Sequence, residues 1–110
     1  MNKTSLTALA RQQLETARGA SSGRSAQTVY GGHEHSLRQT LIALRAGASL
    51  DEHETNGEAT LQVLHGKVRL TDHTANWEGS AGDHIIVPKT RHGLTALEDA
   101  AVLLTVSNPV

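Results

Sequence analysis

Two hydrophobic periods divide the chain. Over residues 4–18, Leu6, Leu9, Ala10, Leu14 and Ala17 recur three and four apart, which predicts one amphipathic helix. Thr4 or Ser5 can cap its start, and Gly19 can end it. Residues 19–25 (GASSGRS) are small and polar and read as a flexible link. From Gln27 onward the helical period is gone. Short runs over 27–30, 37–44, 59–64, 67–71, from Trp77, 85–87, 94–97 and 100–106 predict strands. Turn signals separate them: Gly31-Gly32 with His33-Glu34-His35, then His65-Gly66, Asp72 to Asn76, and Gly79 to Gly82. Many short strands at this spacing predict an all-β sandwich or barrel, and the lack of helices between them excludes a βαβ plan. The run LRQTLIAL over 37–44 has no cleanly polar face. It predicts a strand covered on both sides, by the interior and by another sheet or subunit. The chain divides into a helix and link over 1–22 and a β domain over 23–110.

Composition narrows the classes. One hundred and ten residues suffice for one domain with a modest core. With no Phe, one Trp and one Tyr, that core is built from Leu, Val, Ile and Ala. The net charge of −1, with acids and bases interspersed, gives no footprint for nucleic acid or an anionic membrane. No Cys means no disulfide framework and no thiolate chemistry, in keeping with a cytoplasmic protein. Neither a signal peptide nor a run long enough to span a bilayer is present. Seven His is the compositional hint of acid–base or metal work.

Two stretches carry candidate chemistry. The first, Gly47 to Gly66, holds His53 in a polar, acidic loop just before the apolar run. The second, Gly82 to His92, has a glycine turn, a β-branched run, Pro88 and then His92. Together they resemble the two motifs of the cupin family, G-x5-H-x-H-x3/4-E-x6-G and G-x5-P-x-G-x2-H-x3-N. Gly47, His53 and Gly66 match the first, and Gly82 and Pro88 the second, with His92 one residue early. Thr55 stands in place of the second His, Ala59 in place of Glu, and Thr90 in place of the second-motif Gly; the closing Asn is absent. The resemblance covers roughly residues 47–106. It implies a small RmlC-like cupin: a double-stranded β-helix, or jelly-roll barrel, with an N-terminal α-helical arm, paired as a homodimer. The arm then either packs on a partner subunit or covers an open end of its own barrel.

By the same resemblance the pocket holds His53, Thr55, Ala59, Leu61 and His92. His53 and His92 are also the candidate ligands of one divalent transition metal, with Glu58 or Gln62 as third ligand. Strand alternation opposes both, because Ala59, Leu61 and Val63 share the inward face, and only a bulge near Asn56-Gly57 would turn Glu58 or Gln62 inward. His33 and His35 read as solvated turn residues, and His65, His73 and His84 as surface. Arg91 and Arg45 are candidates to steer an anionic ligand, with a paired surface cation as the commoner role. Three readings follow. The first is a cupin of unassigned activity that binds a small molecule with His53 and His92 and assigns no catalytic residue. The second is a metal-dependent oxygenase or isomerase with a non-standard ligand set. The third is a structural or regulatory scaffold with a closed apolar interior.

Overall fold

A computed structural model describes residues 2–54 and 57–108. The helix forms where the apolar stripe places it, as α1 (Leu6–Gly19). Ser5 caps it, its side chain accepting from the Ala8 N–H at 3.2 Å. At the other end Arg45 donates to the carbonyls of Arg18 and Ala20, both at 3.2 Å, satisfying groups the helix itself leaves open. Among the described residues nine strands follow: β1 (Arg24–Tyr30), β2 (Leu37–Leu44), β3 (Ser49–His53), β4 (Glu58–His65), β5 (Lys67–Asp72), β6 (Asn76–Ser80), β7 (His84–Ile86), β8 (His92–Ala96) and β9 (Ala100–Ser107). They make two antiparallel sheets, ordered β1-β2-β9-β4-β7 and β3-β8-β5-β6. This is the expected double-stranded β-helix.

The core lies between the sheets. Ile42 and Leu44 of β2, Leu61 and Val63 of β4, Val68 and Leu70 of β5, and Leu94 and Val102 all pack there. Burial of each such aliphatic side chain contributes about 1.5–3 kcal/mol. A second cluster lies on the outside of the five-stranded sheet. There Leu9, Ala10, Leu14 and Ala17 of α1 sit on Leu41 and Ala43 of β2 and Ala101 of β9. This explains the two apolar faces of β2, which is buried along its last four residues. One face fills the barrel and the other lies under the chain's own helix, not under a second sheet or subunit. α1 therefore covers a sheet face rather than an open barrel end. Buried Gln13 is satisfied there, donating to Gln27 Oε1 at 3.1 Å and accepting from Ser25.

Other differences have local causes. The residues expected to form a link are short-lived as such: Gly19 is helical, and Arg24 and Ser25 already belong to β1. Gly79 and Ser80 are strand rather than turn. A side chain at Gly79 would meet Ile85 and Val63 at 3.0 and 3.1 Å, so glycine is what lets β6 approach the other sheet. β3 falls in the stretch expected to be loop. Its sequence, SLDEH, has one apolar residue and pairs on one side only, so no alternation marks it.

Candidate functional site

The site grows from the edge strand β3. Leu50 pairs with Leu94 of β8, and Leu94 with Leu70 of β5, a row of three leucines at the floor of one barrel end. The next paired row toward the mouth is His53, His92 and Asp72. Between the rows β3 advances three residues while β8 advances two. The extra residue, at Asp51-Glu52, is a β-bulge. Without it, alternation would point Glu52 inward and His53 out; with it, His53 shares the inward face of Leu50. The imidazoles of His53 and His92 meet edge to face, centroids 4.7 Å apart. His92 is only 4% exposed, and His53 is open to solvent.

Backbone carbonyls orient both rings. His92 Nδ1 lies 2.8 Å from the Thr90 oxygen, and His53 Nδ1 lies 3.1 Å from the Asp51 oxygen. A carbonyl can only accept, so in the neutral imidazole each Nδ1 carries the proton and each Nε2 keeps its lone pair. Thr90 also donates its hydroxyl to Asp72 Oδ2 at 3.1 Å. Asp72 Oδ1 in turn accepts the N–H groups of Thr74 and Ala75, each at 2.8 Å. These backbone bonds, that from Thr74 foremost, lower the Asp72 carboxyl to about 2, so it is anionic at any ordinary pH. Asp72 thus holds the loop that sets the His92 ring. Sequence reasoning placed Asp72 in a turn and gave Thr90 no role. The turn was legible, but its reach to the site was not.

The remaining candidates are less gathered. Ala59 and Leu61 face inward as expected, 7% and 3% exposed, but they are part of the packed core rather than the lining of an open chamber. The Val87 N–H donates to the Ala59 oxygen at 3.0 Å, which puts Ala59 where the loop to His92 leaves the first sheet. Thr55 lies outside the described residues. Glu58 and Gln62 are exposed on the outer face of β4, so neither reaches the pair, as alternation required. Gly93 occupies the family position of the second-motif His. It faces outward beside Glu52 and Thr71, and the inward place belongs to His92. Arg91 pairs with Glu52 at 3.5 Å, and Arg45 is engaged at the end of α1. His33 and His35 are exposed in a turn, with His35 edge-on to Tyr30 at 5.4 Å.

No family model and no curated protein matches the chain. Solved structures do. A conserved protein of unknown function from Streptococcus pyogenes superposes with a TM-score of 0.73 at 24% identity, over 83% of this chain and 79% of that one. An RmlC-like cupin from Desulfovibrio desulfuricans gives a TM-score of 0.68 at 26% identity, over 79% and 84%. A cupin superfamily protein from Desulfitobacterium hafniense gives 0.71 at 16%, over 78% of each. The chain has the fold of a small RmlC-like cupin. The His53–His92 pair lies at one end of this barrel.

A resident metal at a cupin mouth needs three or four donors. The described residues supply two imidazoles. Both Asp72 oxygens are committed to Thr74, Ala75 and Thr90, and Glu58 and Gln62 lie on the wrong face. No group of three His, Cys, Asp or Glu among the described residues is placed to hold an ion. The donor set of the described residues does not fit a resident metal. It fits a hydrogen-bonding site: two Nε2 atoms that accept from a ligand O–H or N–H, or donate once protonated. Among the described residues no helix is long and apolar enough to cross a membrane.

Proposed function

We propose that this cupin binds a small polar molecule at its barrel mouth through Nε2 of His53 and His92, without a resident metal. The observation that carries this reading is the bulge in β3, which turns an otherwise outward His53 to face a nearly buried His92. The packed leucine floor beneath the pair supports a small ligand held near the surface rather than deep between the sheets. The homodimer implied by the family resemblance loses two of its supports, because α1 and the outer face of β2 are occupied by each other.

The test is a titration of 15N-labelled protein with small hydroxy-acids and sugars, following the imidazole resonances. Saturable shifts at both His53 and His92 Nε2, lost in His53→Ala and His92→Ala, are expected. Binders that shift neither ring would overturn the reading. Metal analysis of tag-free protein separates the alternatives. Near-stoichiometric metal in the parent, lost in both variants, would favour the metal-dependent enzyme. No metal and no binder would favour the scaffold.

A further inference from the structure

A concavity lies on the opposite side of the first sheet from the histidine pair, where α1 covers β4 only in part. The helix lies over β1, β2 and β9, meets β4 only along its edge, and leaves a groove of about 330 Å³ on that flank. Its apolar wall is a ridge of Leu6, Ala10 and Leu14, spaced i, i+4, i+8, facing Leu64 of β4. Arg11, Arg18 and His65 stand along the same groove, and among the described residues no acidic side chain lines it. Asp99 stands beside both Arg18 and His65, so Arg11 is the cation that the groove leaves without an ion pair among the described residues. Arg18 is partly neutralised, its Nε donating to Asp99 at 2.8 Å, and the Asp99 carboxyl is lowered chiefly by the Ala46 N–H and this arginine. Arg11 has no ion pair or side-chain hydrogen bond among the described residues, nor does Glu15 one turn away.

We propose that this groove is a binding site for a single-chain amphiphile with an anionic head, such as a medium-chain carboxylate. The head lies against Arg11 and the free guanidinium nitrogens of Arg18, and the chain runs along the Leu6–Ala10–Leu14 ridge. Eight residues of helix span about 12 Å, the length of an extended chain of roughly eight to ten carbons. At about 30 Å³ per water-sized atom the volume admits roughly eleven heavy atoms. The groove lies at the lower end of the range for small-molecule sites. Its apolar path also continues: Leu6 lines a second groove with Val29, Tyr30 and Leu37, and Tyr30 and Leu37 are among the exposed large apolar side chains. The site is independent of the barrel mouth.

The experiment is calorimetric titration with hexanoate, octanoate and decanoate, with decanol and decyltrimethylammonium as head-group controls. The methyl resonances of Ala10, Leu14 and Leu64 are followed in parallel. Saturable 1:1 binding is expected, tightening two- to fourfold per added methylene, with shifts at those three methyls. Arg11→Glu, an exposed change, is expected to weaken decanoate at least tenfold, whereas His53→Ala and His92→Ala leave it unchanged. Equal binding of decyltrimethylammonium, shifts confined to the barrel mouth, or no saturation in the parent would each overturn the proposal. Circular dichroism of Arg11→Glu guards against a misfolded variant, and Arg11→Lys, which keeps the charge, is expected to retain most of the affinity.

Discussion

Leu14→Ala tests whether the helix belongs to the same cooperative unit as the barrel. Leu14 is 4% exposed, pressed between α1 and the outer face of the first sheet. The change removes three carbons, at about 0.8 kcal/mol each in transfer free energy. The cavity left behind adds to this, and alanine's better helix propensity returns a few tenths. A net loss of about 3 kcal/mol follows. With a urea slope of about 2 kcal/mol/M for a domain of this size, the midpoint falls by roughly 1.5 M. Two probes make the assay decisive. Far-UV circular dichroism at the helical band reports α1, while the sole tryptophan, Trp77 of β6, reports the other sheet. One core predicts coincident transitions in parent and variant, both moved by the same amount. If Leu14→Ala shifts only the helical signal and leaves Trp77 where it was, the helix is a separable arm and the reasoning fails.

Three further outcomes are expected. Deleting Glu52 removes the bulge and leaves His53 two residues after Leu50, so regular alternation keeps it inward and the ring-to-ring nuclear Overhauser contact with His92 survives, whereas inserting a second residue there turns His53 outward and abolishes that contact, with little loss of thermal stability in either case because β3 is an edge strand. Gly66→Ala, by contrast, lowers stability by at least about 2 kcal/mol, since Gly66 has φ +75° and a Cβ there would run into the Asp99 carbonyl; thermal unfolding measures it. The Asp72 carboxyl is lowered on folding, so its stabilising bonds are fully present above its ordinary value of 3.8 and are lost as pH falls through about 2. The amide resonances of Thr74 and Ala75 are therefore expected to hold still from pH 7 to 4 and to move only below about 3. An inflection near pH 4 would contradict the hydrogen bonding described.

The elements that sequence reasoning found are those whose side chains carry a period. The stripe from Leu6 to Ala17 specifies a helix, and Ala59, Leu61 and Val63 specify the inward face of β4. The two faces of β2 were legible as both covered, but not by what, because an apolar face does not name its partner. β3 was illegible for the opposite reason: SLDEH has a single apolar residue, and its pairing rests on backbone hydrogen bonds that any sequence can make. The bulge was equally hidden, and with it the reason His53 points inward. At position 92 the motif spacing favoured Gly93, and only the strand parity of β8 shows that the earlier residue is the one at the mouth. Asp72 reaches Thr90, and through it His92, across eighteen residues, a separation at which composition and spacing carry no signal.

The position of β9 has a consequence for synthesis. It is made after β1 to β8, yet it lies between β2 and β4 at the centre of its sheet. It also supplies Ala101 to the seat of the first element, α1. A chain emerging from the ribosome therefore carries an incompletely seated amphipathic helix and two strands with open inner edges until β9 has emerged. The sheet cannot close before β9 is made, so nascent chains stalled before β9 are expected to be protease-sensitive and prone to associate through β2 and β4.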